Sequence, residues 1–242
     1  MNPFDKTDDP RRRWLIRALG AGLFSLPAAE VLAQLLGARP DKMPPGKSIY
    51  RIQGAVQVDG KNANVDSQIS PGSTIETGRD GELVYVQGSN AYVQRANSRV
   101  VLEKSEKPES TLSQGLRIVT GALLSVFARG TPMQIKTKTA TVGIRGTGVY
   151  LETDPEQTYF CTCYGVADVS ANEDPQSRDT VVAKHHDKPL YILSGAQSGR
   201  SIRRAPFINH TDQELMLVET LVGRTPPFVF PKEDYGGPRR EY

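Results

Sequence analysis

The chain reads as a mainly β protein, an antiparallel β-sandwich carrying one short amphipathic helix near its C-terminus. Three observations predict this. From Ser48 onward, apolar and polar residues alternate over short runs, the period of a half-buried strand. Turn chemistry separates those runs: Asp59-Gly60, Pro71-Gly72, Asp80-Gly81 and Gly88-Ser89-Asn90 recur at short intervals, in a chain with 22 glycines and 17 prolines. After Thr211 the apolar period changes to that of a helix.

Bulk composition sets the class. Of 242 residues, 38% are hydrophobic and 24% charged, as in an ordinary soluble globular protein. With 30 basic against 27 acidic side chains and no basic stripe interleaved with aromatics, nucleic acid is not an expected partner. The N-terminus carries an export signal. Arg11, Arg12 and Arg13 precede Trp14-Leu15-Ile16, and residues 18–29 are an uncharged run of small and apolar residues too short to span a bilayer. Val31-Leu32-Ala33 suits signal peptidase, so residues 1–33 read as a signal peptide cleaved near Ala33. The Arg11-Arg12 pair followed by apolar residues fits a twin-arginine signal as well as a general secretory one. The expected location is the periplasm, with no transmembrane span in the mature chain.

Residues 34–47 form a linker, since Pro40, Pro44 and Pro45 cannot join a sheet interior. Tyr50, Ile52, Val56 and Val58 then fall on one strand face, and Asp59-Gly60 supplies a hairpin turn. Short strands follow at TIETG, ELVYVQ, AYVQ and residues 99–103, before a polar loop at 104–115. LRIVTGALLSVF (116–127) suggests two strands around Gly121. In TVGIRGTGVYLE (141–152) a strand, a tight corner and a second strand are expected. Gly143, Gly146 and Gly148 sit where a side chain would clash. With Thr147 they form a structural motif in which Arg145 donates its fixed fork of hydrogens to loop carbonyls. TYFCTCYGVADV (158–169) reads as a strand pair bent at Gly165, and VVAKHH and PLYILSG continue the pattern. Residues 198–204 read as a solvated basic loop. Thr211-Asp212-Gln213-Glu214 is a capping box opening about three helical turns, with Leu215, Val218 and Val222 on one face and Gly223 as the stop. Residues 225–242 read as an extended tail.

Several of these motifs also occur in a familiar order. Gly72, then Ile75-Glu76-Thr77-Gly78, then LRIVTGALLSV, then Thr131-Pro132 leading to Val142-Gly143-Ile144-Arg145-Gly146-Thr147 resembles the FecR domain across residues 48–151. The resemblance implies a jelly-roll-like β domain in the periplasm. In family members that regulate iron-citrate uptake, it lies between a cytoplasmic segment controlling a sigma factor and a C-terminal region that meets an outer-membrane receptor. Here only residues 1–10 precede the arginines, so that cytoplasmic regulator is not expected and only the extracytoplasmic module carries over. The expected organisation is a signal peptide (1–33), linker (34–47), β domain (48–206) and a C-terminal helix with tail (207–242). Within the β domain, 48–151 is the family core and 152–206 a cysteine-containing extension.

The residues with chemistry lie in that extension. Cys161 and Cys163 are the only cysteines. Two apart on a strand, they share a face, and α-carbons near ~6.5 Å apart with parallel side chains disfavour a disulfide between them. All three histidines follow: His185, His186 and His210. Two thiols with histidines can hold a soft metal, zinc or copper. The competing reading is a pair of buried structural cysteines among Tyr159, Phe160 and Tyr164. If the chain is extended at His185-His186, at most one of that pair joins a cluster. No nucleophile elbow, phosphate-cradling loop or helix with paired histidines is present, so no enzyme is expected. The sequence thus supports a non-catalytic binding, signal-relay or scaffold module meeting an envelope protein or cell-wall component. The alternative is a periplasmic metal-binding or redox-sensing protein using Cys161, Cys163 and a histidine.

Overall fold

Strands dominate the computed structural model, which describes residues 40–104, 114–130 and 132–228. The expected signal peptide, the first part of the expected linker, most of the 104–115 loop, Thr131 and the tail beyond 228 lie outside the described residues. The first seven strands are β1 (Ile49–Gln53), β2 (Val56–Val58), β3 (Lys61–Asn62), β4 (Thr74–Thr77), β5 (Glu82–Gln87), β6 (Asn90–Gln94) and β7 (Arg99–Lys104). Next come β8 (Gln114–Val126), β9 (Pro132–Lys136), β10 (Ala140–Thr153), β11 (Gln157–Ala171), β12 (Arg178–Ala183), β13 (Leu190–Leu193) and β14 (Ile202–Arg204). Helix α1 (Asp212–Leu221) follows, and no helix among the described residues is long and apolar enough to cross a membrane.

The strands run β14-β13-β11-β10-β9-β8-β7-β4-β2-β3, with β6 also on β8, β5 on β6, β1 on β5 and β12 on β11. The mainly β class holds, but the sheet is mixed. Both β8 and β9 run antiparallel to β10, so where they meet each other they are parallel. Asp59 and Gly60 take φ of 53° and 74°, as a two-residue hairpin between β2 and β3 requires. Tyr50 departs from its expected face. A register shift between Ile49 and Arg51 turns Ile49 inward and leaves Tyr50 40% exposed. Ile202–Arg204, expected in a loop, is the edge strand β14.

The strand pair around Gly121 and the corner near Arg145 are instead long bent strands, and the bend expected at Gly165 forms within a single strand. β8 bends at Gly121, β10 at a bulge between Arg145 and Gly148, and β11 at Gly165. Each strand therefore changes partners along its length. The first half of β10 pairs with β9 and its second half with β8, while β11 pairs with β13 at its start and β12 at its end. Gly165 takes φ +95°, and a Cβ there would come within 2.5 Å of Thr147. At Gly148 a Cβ would meet the Tyr164 ring at 2.6 Å. Close approach of β10 and β11 thus explains Gly148 and Gly165, while Gly146 takes φ +60° and a Cβ there would meet Arg129 at 2.8 Å. At Gly143, contrary to expectation, a Cβ would meet nothing nearer than 3.9 Å. Arg145 is not an internal brace. The bulge points it outward, 74% exposed, with an ion pair to Asp168 at 3.9 Å.

Two apolar clusters result. The larger gathers Ile75, Leu83, Leu116, Ile135, Val142, Phe160 and their neighbours between the bent strands. The smaller lies on the other face, where Val84, Val93, Leu124, Tyr150, Cys161 and Cys163 are covered by Leu215, Val218 and Leu221 of α1. The capping box forms as expected: Thr211 Oγ1 accepts from the Glu214 N–H, and Glu214 accepts from the Thr211 N–H. Leu221 takes the third buried place rather than Val222, which caps the helix end. The Met43 N–H donates to the Leu221 carbonyl at 2.9 Å, so the linker's described end serves as a partner for the helix C-terminus.

Replacing Gly148 with Ala drives a methyl into the Tyr164 ring and should cost about 1–3 kcal/mol in urea denaturation. Arg145→Ala, at an exposed site, should shift the same measurement by less than about 0.5 kcal/mol.

Candidate metal centre

Residues 158–164 of β11 are buried throughout, without the alternation of a solvent-facing strand. Such a run belongs to sheet covered on both faces. Phe160 points into the larger cluster, while Tyr159, Cys161 and Cys163 point into the smaller one beneath α1. Both cysteines are fully buried and free of disulfide.

Two histidines are brought to them from different segments. The turn between β12 and β13 is tied by Asp187, whose carboxylate accepts from the Lys184 and His185 N–H groups. In that turn His186 adopts φ 53°, and its N–H donates to the Cys163 carbonyl. His210 arrives just before the helix cap, following Asn209 at φ 59°. Left-handed backbone at non-glycine residues is costly, and it recurs here beside two members of one cluster.

Cys161 Sγ, Cys163 Sγ, His186 and His210 place one ligand atom each within 4.8 Å of one another. His186 Nδ1 lies 3.4 Å from Cys161 Sγ and 3.1 Å from His210 Nε2. A tetrahedral zinc site with the usual bond lengths has ligand–ligand edges of about 3.3–3.8 Å. The cluster is therefore close to the size an ion needs.

The outer ring nitrogens determine which atoms face the cluster. His210 Nδ1 donates to the Ile208 carbonyl at 2.7 Å, leaving Nε2 as a lone pair. His186 Nε2 donates to Asp212 Oδ1 at 3.0 Å, directing Nδ1 inward, and His185 Nε2 donates to Asp212 Oδ2 at 2.8 Å. Carboxylate and carbonyl acceptors behind metal-ligating imidazoles are the usual outer support. Aromatic rings close the surroundings: Tyr150 stacks on His210 at 4.4 Å, and Phe207 meets His186 at 4.4 Å.

Two inward lone pairs 3.1 Å apart repel unless a cation lies between them. In the metal-free protein a proton meets that need. Burial opposes charge on His186, but Asp212 and then Cys161 outweigh it and push its pKa up to about 9. Burial would also raise the Cys161 thiol, yet hydrogen bonds with Cys163, His186 and His210 hold it well below its ordinary value. Cys163 goes the other way, raised by burial and by its neighbour Cys161. Asp212, despite burial, is lowered by its two histidines. Both shifts favour negative charge at Cys161 beside positive charge at His186.

The structure thus brings together four of the five residues expected to bind metal. His185 is the exception: its Nε2 bonds Asp212 and its ring packs on His186 and Phe228. One of the adjacent pair thus joins the two cysteines, through a left-handed turn rather than an extended strand. Asp212 was not anticipated as part of the site; its position two residues after His210 was the available signal.

No family model matches the chain, and no curated protein matches it significantly. Among solved structures, it matches two crystal structures of a "putative anti-sigma factor" from Parabacteroides distasonis ATCC 8503, at 12% and 13% identity and a TM-score of 0.43 each. Each match covers 55% of this chain and 58% of the other, so the chain spans under two thirds of those proteins. A likeness of that extent carries no argument about function, which rests on the site.

Asp212→Ala leaves two imidazole N–H groups without their buried acceptor. We expect a loss of about 2–4 kcal/mol in urea unfolding of the metal-stripped protein.

Proposed function

We propose that this chain is an exported, non-catalytic FecR-like module that binds one zinc or copper ion through Cys161, Cys163, His186 and His210. The carrying observation is the convergence of two sulfurs and two imidazole nitrogens, with both rings oriented from behind by Asp212 and the Ile208 carbonyl. The reading is non-catalytic because four protein ligands satisfy a tetrahedral ion and leave no open position for a substrate. Export is supported by Arg11-Arg12-Arg13 and the apolar run after them, and the FecR-like character by the ordered motifs of residues 72–147. A module of this kind relays or scaffolds by meeting an envelope protein or cell-wall component.

Metal binding is favoured over redox sensing by the strand itself. Closing a disulfide between residues two apart would twist both side chains out of the β11 ladder, and neither sulfur is exposed to an exchanging thiol. Elemental analysis of the purified mature protein tests the proposal. About one metal equivalent per chain is expected, falling at least tenfold in affinity in Cys161→Ser and Cys163→Ser. Reconstitution reaching less than about a tenth of an equivalent would end the idea.

A further inference from the structure

The four ligands come from two separable parts of the molecule. Cys161 and Cys163 lie on β11, and His186 on the β12–β13 turn, all within the β body. His210 and its neighbour Asp212 lie on the segment 205–222 that crosses the smaller cluster and ends in α1. An ion held by all four would join that segment to the sheet. Polar ties hold the segment as well: Arg95 to Glu214 at 2.5 Å, Tyr159 Oη to the Pro206 carbonyl at 3.0 Å, Asn209 to Glu152 at 2.7 Å, and Met43 N–H to the Leu221 carbonyl at 2.9 Å. Tyr164 bonds Glu219, His185 and His186 bond Asp212, and α1 makes its apolar contacts; the ion would add a link from His210 to both sulfurs. At ten residues, α1 is too short to be stably helical when undocked.

Charge decides between the two metals. Zinc(II) with two thiolates and two neutral imidazoles forms a neutral unit, whereas copper(I) with the same ligands leaves one negative charge. That charge would lie among the fully buried Cys161, Cys163 and His210. Uncompensated charge in such a place is strongly disfavoured. A tetrahedral two-sulfur, two-nitrogen set is also a zinc geometry.

Resting on the metal-binding reading above, we infer that the occupant is zinc and that it latches residues 205–222 onto the sheet, making docking of α1 dependent on metal loading. Zinc binding displaces the protons held by the cluster and adds no redox step.

The test is hydrogen exchange on the mature protein, loaded with zinc or stripped by a chelator, with metal content measured on the same samples. Loaded protein should hold about one zinc, and stripping should speed exchange of the α1 amides at least tenfold while the β5, β8 and β10 amides change little. Circular dichroism of the stripped sample checks that the β body persists. His210→Ala, which removes only the segment's ligand, should reproduce the fast exchange even with zinc present. Zinc bound with α1 exchange unchanged on stripping would overturn the latch and leave the site standing. Preferential retention of copper(I) over zinc in competition would overturn the metal assignment. Absence of any bound metal would instead overturn the binding proposal on which the inference rests.

Discussion

The site is governed by one electrostatic constraint: two ring nitrogens face each other 3.1 Å apart, beside two sulfurs, among buried side chains. Hydrogen bonds to Ile208 and Asp212 hold the rings in that attitude, so neither can turn away without leaving a buried N–H unpaired. With both outer nitrogens donating, the inner pair is satisfied by a proton or a metal ion between them. His186 is held in left-handed backbone beside that centre, a conformation uncommon for a histidine.

Bent strands make this arrangement reachable. A straight β11 would serve one layer. Bending at Gly165 lets its first half face α1 while its second half carries β12, whose exit turn returns His186 to the Cys163 carbonyl. Gly148 contributes from the neighbouring strand by admitting the Tyr164 ring, which in turn hydrogen-bonds Glu219 of α1. The glycines singled out by their density therefore support the helix-covered face indirectly, through how closely β10 and β11 approach.

What was legible in the sequence was local. The Asp59-Gly60 hairpin and the Thr211–Glu214 capping box each depend on a few adjacent residues, and both form. The shared face of Cys161 and Cys163 follows from strand geometry alone. The corners were misread because a glycine inside a strand pattern marks a bend as readily as a turn, and only pairing decides. Arg145 drew attention through its glycine neighbours, yet a bulge inverts the expected direction of its side chain. Convergence of His186 and His210 was not legible, since it depends on a tight turn and on how the segment before α1 crosses the sheet. Asp212 was masked by a sufficient local explanation, because an acid in the first helical turn is favourable there in any case.

The placement of the centre also limits what it can control. None of its ligands belongs to the larger cluster, which holds the bent strands together through Ile75, Leu116, Ile135 and Val142. Small metal-dependent domains unfold without their ion because nothing else supplies a core. Here the hydrogen bonds among His186, His210, Cys161 and Asp212 remain within the cluster without an ion, and the larger core is separate from it. Occupancy would therefore act on the covering segment rather than on the fold, which is the arrangement a module needs if binding an ion is to change its surface without destroying it.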